Sequence, residues 1–318
     1  MSPPPFPTLS RRARVWDAAG MLLVLAGLFL LCALGVDHFL TATNLRGLAL
    51  AVSTSGMVAC TMMLCLAAGD FDLSVGSVVA FAGVLGATVM NATGSITAGV
   101  AAALASGALI GCVNGVFVAR FGVNALITTL ASMQIVRGLG FIVADGRAVG
   151  IRPAGFFALG NTAWLGVPVP VWLTGLCCAG FGALLNRTIF GRQALAIGGN
   201  REAAHLAGVP VVRVKIIIFT LQGLVAAGAG LILAARMTSG QPNTSQGFEL
   251  EVISACVLGG VSLSGGVARL GSVVAGVLIL GLVQNAMNLL NLAPFYQYVA
   301  RGGILLGAVL LDRFRQRS

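Results

Sequence analysis

Two carboxylates stand two positions apart in GDFDLSVGS, residues 69–77 of a 318-residue chain that has only nine acidic residues. Long apolar runs flank this stretch on both sides. Paired carboxylates could act as a general acid and base, could bind a cation, or could shape a helix end where water or a solute enters the protein. Which chemistry applies to Asp70 and Asp72 depends on the elements that position them.

The composition places those elements in a membrane. Hydrophobic residues make up 58% of the sequence, charged residues make up 9%, and the mean hydropathy is +0.98. A soluble domain carries about 25% charged residues. Forty-four glycines suit membrane helices, which associate through small residues that let their backbones approach closely. The formal charge of +10 does not indicate nucleic acid, because the basic residues stand in short gaps between apolar runs.

Ten apolar segments have about the length needed to cross the hydrocarbon core, which takes about 20 helical residues. The eighth segment is short and could be a broken or re-entrant helix. The sequence therefore predicts an all-α, polytopic membrane protein with about ten transmembrane helices in a single domain, and eight spans are the alternative. The segments are residues 20–36, 47–68, 73–90, 96–118, 123–143, 169–186, 216–235, 251–264, 271–290 and 295–311.

The basic residues predict the orientation, because cytoplasmic loops carry an excess of Lys and Arg. With the N-terminus inside, most of the nineteen basic residues fall on the cytoplasmic side, and both termini lie there. This orientation makes residues 1–18 and 312–318 cytoplasmic ends and residues 187–215 a long cytoplasmic loop. Arg46, Arg147, Arg152 and Arg236 fall outside, whereas Arg137 and Arg301 fall within spans.

The loop 187–215 contains the pattern of a short capped helix. Asn200 suits the N-cap, and Glu202 lies in the first turn, where a carboxylate complements the helix dipole. Gly208 suits the C′ position and Pro210 prevents continuation of the helix. Such a helix could simply connect two spans, or it could dock into a socket on another protein.

The turn between the second and third spans contains the two carboxylates on the cytoplasmic face, where the cost of a charge in a membrane largely disappears. Asp72 would then cap a helix that starts at Leu73, and would accept a hydrogen bond from the backbone N–H of Ser74 or Val75. The alternative is a broken helix in which Asp70, Asp72 and Ser74 line a solute pathway.

Polar side chains within two other spans are further candidates for a pathway. Such groups can also hydrogen-bond across helices and hold a bundle together. Asn285 and Asn288 are three residues apart and therefore share a helix face. The candidates are Asn124, Thr128, Thr129, Gln134 and Arg137 in the fifth span, and Gln284, Asn285, Asn288 and Asn291 in the ninth.

Several functions are disfavoured by motifs that the sequence lacks. No G-x-x-x-x-G-K-[ST] phosphate loop occurs, and the single lysine, Lys215, lies in VRVKIII without preceding glycines. His38 and His205 have no Cys or His at ligand spacing, so we expect no metal site. Seven cysteines within apolar stretches are expected to be small buried hydrophobes. We therefore expect neither an enzyme nor a bound cofactor.

Several stretches carry a resemblance to a known family. EAAHLAG, residues 202–208, resembles the E-A-A-x-x-x-G cytoplasmic loop of ABC importer permeases. GDFDLSVGSVVAFAG, LGGVSLSGG and NLLNLAPFYQYVARGGILLGAVLLDR are similar to the monosaccharide permeases of that class. The similarity runs from Trp16 onward. At the first of these motifs, many ribose-type members are similar to GGIDLSVG. With Asp70 and Phe71 at the second and third positions of the motif, this chain resembles the arabinose branch instead.

The resemblance implies a transport subunit in the bacterial inner membrane that translocates a monosaccharide, with L-arabinose expected and ribose, xylose or galactose as alternatives. An ion-coupled secondary transporter is disfavoured because the carboxylates are peripheral. The implied partners are a periplasmic sugar-binding protein, an ATP-binding subunit, a second permease copy in a homodimer and membrane lipid, but no nucleic acid. The residues implied to contact the ATP-binding subunit are Asn200, Glu202, Ala203, Ala204 and Gly208.

Charged residues of the outer side could match a soluble partner. They form a mixed pattern suited to the two lobes of a binding protein, and the alternative is an ordinary solvated rim. The spans offer no aromatic platform with convergent polar groups, which a tight saccharide pocket would need, so we expect sugar selectivity to lie in the soluble partner. The candidate docking residues are Arg147, Arg152, Arg236, Glu249 and Glu251.

Overall fold

Helices dominate the computed structural model, which describes residues 11–317. Seven helices of this part of the chain are long and apolar enough to cross a membrane. They are α2 (Ala42–Ala67), α3 (Val75–Thr93), α4 (Ile96–Ala119), α5 (Ala125–Val143), α7 (Val169–Arg187), α10 (Val211–Met237) and α12 (Leu270–Leu289). The remaining helices are α1 (Arg11–Gly35), α6 (Ala158–Asn161), α8 (Ile189–Gly199), α9 (Arg201–Leu206), α11 (Phe248–Leu258) and α13 (Pro294–Arg317).

The predicted all-α architecture is confirmed, and each predicted apolar segment contains a helix. The eighth segment contains only α11, whose 11 residues are too few to cross a bilayer as a helix. The loop after α11 has three glycines with positive φ, Gly260, Gly265 and Gly266, a conformation that interrupts a helix. Of the predicted cytoplasmic ends, residues 1–10 and Ser318 lie outside the described residues, and the rest is helical in α1 and α13.

Within residues 11–317, four very short strands lie in the long connections. β1 (Val149–Gly150) pairs antiparallel with β4 (Ser239–Gly240), and β2 (Ala163–Trp164) pairs with β3 (Val167–Pro168). The first pair joins the connection after α5 to the connection after α10. It therefore fixes the segment that precedes α11.

The centre of the bundle is formed by α2, α3 and α10, and α4 packs along α10. Of the most apolar stretches, 72% of α2 and of α3 is buried within the protein, against 11% of α7. The contact of α4 with α10 depends on glycine, because a Cβ atom on Gly223 would collide with the carbonyl oxygen of Gly107. Small residues thus bring these backbones together, as expected for helices packed in lipid.

Candidate functional site

Two cavities lie against opposite halves of α10. The first, which we call the Asp70 cavity, has a volume of about 530 Å³ and includes Lys215 in its wall. The second, the Glu251 cavity, has a volume of about 460 Å³ and includes Ala229. Lys215 and Ala229 are about 21 Å apart along the helix axis, at 1.5 Å per residue.

The Asp70 cavity is bounded by an ion pair that sequence reasoning did not find. Lys215 Nζ donates a hydrogen bond to Asp70 Oδ1 at 3.0 Å and lies 2.9 Å from Oδ2. Asp70 is 7% exposed and Lys215 is 5% exposed, so water screens this pair weakly. The two residues are 145 positions apart in the chain, and only the packing of the α2–α3 turn against α10 brings them together.

Asp72 lies beside this pair but is turned away from the cavity. The backbone N–H of Ser74 donates to Asp72 Oδ1 at 2.9 Å, as predicted, and the Ser74 hydroxyl donates to the same oxygen at 2.6 Å. Asn114 Nδ2 of α4 in turn donates to Ser74 Oγ at 3.0 Å. The chain of hydrogen bonds fixes the turn against α4.

Two details of the prediction for this turn are wrong. The helix starts at Val75 rather than at Leu73, because Leu73 and Ser74 still belong to the turn that Asp72 stabilises. The carboxylates also do not lie on a wet surface, since Asp72 is 1% exposed. Burial raises the pKa of Asp72 to about 6, although its hydrogen bonds with Ser74 act in the opposite direction. The free-energy cost of burying the Asp72 carboxylate therefore does not disappear, contrary to the prediction for this turn.

The end of α8 is fixed to the same region by backbone contacts. A Cβ atom on Gly198 would collide with the carbonyl oxygen of Ala67 at the end of α2. That oxygen accepts a hydrogen bond from the backbone N–H of Gly266 at 2.9 Å. Three segments distant in sequence thus meet at Ala67, next to the turn that contains Asp70.

The short helix α9 follows directly and is the element predicted from its capping pattern. Asn200 Oδ1 accepts from the backbone N–H of Ala203 at 2.9 Å, and Gly208 has a φ of +81° just after the helix. Ala204 is buried against the bundle, whereas Glu202 and Ala203 are exposed. Leu206 is 82% exposed, so α9 presents an apolar side chain beside a carboxylate on its outer surface.

The Glu251 cavity is lined mainly by polar side chains. Arg301 Nη1 lies 3.5 Å from Glu251 Oε2, and both side chains are partly exposed. The side-chain amides of Asn243, Gln246 and Gln284 form no hydrogen bond to any residue that the structure describes. The polar lining residues are Thr54, Asn243, Thr244, Ser245, Gln246, Glu251, Gln284, Tyr298 and Arg301.

The expectation that no aromatic groups converge with polar groups is wrong for this cavity. Phe248 of α11 and Tyr298 of α13 line it together with Gln284 and Thr54. The sequence could not show this arrangement, because the four residues belong to four different helices. Ligand pockets typically combine aromatic side chains with a few polar groups that orient the ligand, and this cavity has both.

The candidates of the fifth predicted span are mostly structural. Asn124 is the N-cap of α5, with Oδ1 accepting from Leu126 N at 2.9 Å, although the residue also lines the Asp70 cavity. Thr129 donates to Ala125 O, and the buried Thr128 hydroxyl has no partner among the described residues. Gln134 is exposed.

Arg137 of α5 holds the segment that precedes α11. Its Nη1 donates to the carbonyl oxygens of Pro242 and Thr244 at 2.9 and 2.6 Å. The neighbouring residues Asn243 and Ser245 line the Glu251 cavity. Arg137 thus positions one wall of the cavity and does not itself line it.

Of the four polar candidates in the ninth predicted span, Gln284 lines the Glu251 cavity and the other three line neither of the two cavities. Asn285 and Asn44 exchange hydrogen bonds at 2.7 and 3.0 Å, which joins α12 to α2. Asn288 accepts from Gln297 of α13 at 2.7 Å, and Asn291 is exposed with a φ of +54° after α12. Asn285 and Asn288 therefore connect helices, which was one of the two alternatives for them.

The predicted rim of docking charges is only partly at the surface. Arg147 and Arg152 are exposed. Arg236 is half-buried and donates to Leu50 O at 3.2 Å, and a buried oxygen of Glu249 has no hydrogen-bond partner among the described residues. Glu251 lines the cavity described above. Helix packing turns the last three residues partly inward, and their contact with a binding protein stays a prediction.

Gln222 is a polar residue of α10 that sequence reasoning missed. Its side chain is 0% exposed, and its Nε2 finds no hydrogen-bond partner in residues 11–317. Its Oε1 accepts from the Cys65 thiol at the long distance of 3.9 Å. Leaving a buried donor unpaired costs about 1–3 kcal/mol. An isolated glutamine within the apolar run IIIFTLQGLVAAG was the signal that could have found it.

The architecture by itself defines a class of protein. A bundle of apolar helices with a polar cavity in each half is the arrangement of a membrane permease. No cluster of three or more His, Cys, Asp or Glu residues suited to a metal ion occurs in the described part of the chain.

Comparison with known proteins assigns the family. Residues 44–309 match the family described as branched-chain amino acid transport system / permease component, and the chain belongs to this family. It is a multi-pass permease of the bacterial inner membrane and not an enzyme.

Curated relatives resemble this chain over nearly its whole length. It is 64% identical to the L-arabinose transport system permease protein AraH of Escherichia coli K12, over 96% of this chain and 93% of the relative. It is 52% identical to the L-arabinose ABC transporter permease protein AraH of Azospirillum brasilense, over 96% and 91%. It is 39% identical to the ribose import permease protein RbsC of Escherichia coli K12, over 88% of each chain. No solved structure matches.

Proposed function

We propose that this chain is the transmembrane subunit of an ATP-driven importer that translocates L-arabinose. The identity of 64% to an L-arabinose permease over 96% of the chain carries the proposal. The lower identity of 39% to a ribose permease makes ribose the alternative sugar. The polar and aromatic lining of the Glu251 cavity supports a polyol as the solute.

The partners follow from the same likeness. A periplasmic sugar-binding protein delivers the sugar, a separate ATP-binding subunit supplies the energy, and a second copy of this chain completes a homodimer. The exposed surface of α9, with Glu202 and Leu206, supports contact with the ATP-binding subunit. Arg147 and Arg152 are exposed, which supports contact of these two charges with the binding protein.

The orientation that we propose has about ten spans and both termini in the cytoplasm. Arg187, Arg192, Arg201 and Arg213 cluster at the α8–α9 end of the bundle, which supports a cytoplasmic location for that end. The Asp70 cavity then opens to the cytoplasm and the Glu251 cavity to the periplasm. The sugar passes from the second cavity to the first.

Reporter fusions test this topology. Fusions after Arg192 and Arg317 are expected to read cytoplasmic, and a fusion after Arg152 is expected to read periplasmic. A cytoplasmic reading after Arg152 contradicts the proposed orientation.

Reconstitution tests the sugar. The permease, its ATP-binding subunit and its binding protein are incorporated into liposomes, and uptake of radiolabelled L-arabinose and D-ribose is compared. We expect ATP-dependent uptake of L-arabinose that disappears without the binding protein. Faster uptake of D-ribose would favour the alternative, and uptake of L-arabinose without ATP would contradict an ATP-driven importer.

A further inference from the structure

Gln222 lies midway between the two cavities on one face of α10. Lys215 lines the Asp70 cavity and Ala229 lines the Glu251 cavity, each seven residues from Gln222. Seven residues are nearly two helical turns, so the three side chains project from the same face. A path along this face from one cavity to the other passes Gln222.

The amide of Gln222 differs from the paired groups at and beside the Asp70 cavity. Lys215 is paired with Asp70, and Asp72 is bonded to Ser74. Gln222 is fully buried, yet its Nε2 has no partner in the described part of the chain. Buried polar groups that serve only structure are almost always hydrogen-bonded. The unpaired Nε2 donor of Gln222 is explained by a hydrogen-bond acceptor that is present only in another state of the protein.

We propose that Gln222 is a sugar-contact residue at the occluded midpoint of the translocation path. Its Nε2 donates to one hydroxyl oxygen of the monosaccharide, and its Oε1 accepts from another hydroxyl group. An amide suits this solute because every sugar hydroxyl is both a donor and an acceptor. The inference rests on the proposed function, since it takes the transported solute to be a sugar.

The packing around Gln222 shows where the path opens. Gln222 of α10 faces Cys65 of α2, and Cys65 is also fully buried. Separation of α2 from α10 therefore exposes Gln222 and the Cys65 thiol together. The thiol is a native probe for this movement.

The first test replaces the amide without changing the length of the side chain. Gln222→Met is compared with Gln134→Met, which changes an exposed glutamine of α5, in the reconstituted importer. Gln222→Met should assemble and melt at or above the wild-type temperature, because an unpaired buried polar group is lost. Its uptake rate should fall about tenfold, the factor that corresponds to one lost hydrogen bond. Gln222→Asn, which retains an amide, should recover part of the rate, and Gln134→Met should match wild type.

The second test uses the wild-type chain and does not depend on a variant that folds. The assembled importer is treated with a polar methanethiosulfonate reagent, and the labelled cysteines are identified by mass spectrometry. Cys65 labelling should rise when ATP and sugar-loaded binding protein are added. Cys32, which is buried in α1 away from the path, should stay unlabelled under both conditions.

The outcomes separate this inference from the proposed function. If wild type takes up no sugar, the proposed function is wrong and the inference falls with it. If wild type transports L-arabinose and Gln222→Met transports at the same rate, only the inference is overturned. Cys65 labelling that stays as low as Cys32 labelling during turnover would also overturn it.

Discussion

The two cavities have similar volumes and each contains an ion pair, but their polar groups are used differently. At the Asp70 cavity, Lys215 and Asp70 are nearly buried and 2.9 Å apart, and Asn124 and Asn200 cap helices. At the Glu251 cavity, the ion pair is wider and partly exposed, and the nearby amides have no side-chain partner in the described residues. The first cavity has polar groups that hold the fold, and the second has polar groups that remain available to a solute.

This difference predicts opposite responses to mutation. Removal of one member of a buried ion pair leaves an uncompensated charge, which typically costs 3–5 kcal/mol. A partly exposed pair contributes about 0–1 kcal/mol, because water screens it and the side chains lose entropy. Changes at the Asp70 cavity should therefore reduce stability, whereas changes at the Glu251 cavity should reduce transport.

The largest effect is expected for Lys215→Met. Asp70 would lose its only ion-pair partner in the described residues, and we expect about 3–5 kcal/mol lower stability. The yield of monodisperse protein and the melting temperature in detergent measure the change. Lys215→Met combined with Asp70→Asn should recover much of the loss, and Arg301→Gln serves as the matched change at the other cavity. Equal stability of Lys215→Met and Arg301→Gln would remove the distinction between the cavities.

The next effect depends on pH and concerns Asp72. Its pKa is about 6 in the folded protein and near 3.8 when unperturbed, so the folded state binds more protons between these values. Stability from this group is then highest at low pH and falls as pH rises to about 6, by about 3 kcal/mol in total. Asp72→Asn should raise the melting temperature at pH 7 and 8, and the gain should shrink towards pH 4.

Two observations would contradict this pH dependence. One is a stability gain from Asp72→Asn that is as large at pH 4 as at pH 8. The other is a loss of stability in Asp72→Asn at pH 7. Asp72→Leu is the control, since it removes the acceptor for the Ser74 N–H and should lose about 1 kcal/mol relative to Asp72→Asn.

A smaller effect on stability is expected for Glu251→Gln. The substitution ends a partly exposed ion pair, so the free energy of unfolding should change by less than about 1 kcal/mol. Uptake of L-arabinose should nevertheless fall, because the carboxylate lies in the cavity that we assign to the sugar. Unchanged uptake together with a large loss of stability would reverse the assignment of the two cavities.

The smallest effect is expected for Asn285→Leu, which removes the amide pair with Asn44. Hydrogen bonds between membrane helices average about 0.6 kcal/mol, so the melting temperature should fall only slightly. Transport should be preserved, because this pair lies in neither cavity. A large loss of uptake at normal stability would return Asn285 to the translocation path.

The helices and the local caps could be predicted because they depend on nearby residues. The apolar segments are visible as runs, and α9 follows from Asn200 and Gly208, which act on backbone groups within a few positions. The hydrogen bond between Ser74 and Asp72 was predictable for the same reason. Such a hydrogen bond joins groups that are only a few positions apart, so the local sequence alone indicates it.

The polar contacts of the site could not be predicted because they join distant helices. Nothing near Lys215 in the sequence indicates Asp70, and nothing near Gln284 indicates Tyr298. In a chain that is apolar on most helix faces, periodicity does not show which face is turned inward. Arg236, Glu249 and Glu251 were assigned to the surface for this reason, and tertiary packing turned them into the protein.

The junction at Ala67 has a mechanical consequence for the whole transport cycle. Gly198, Ala67 and Gly266 touch through backbone atoms, so no side chain can change rotamer there to absorb a shift. A shift of the end of α8 would therefore act directly on the backbone at the end of α2. The turn that contains Asp70 follows Ala67 directly, so it would be displaced by the same shift.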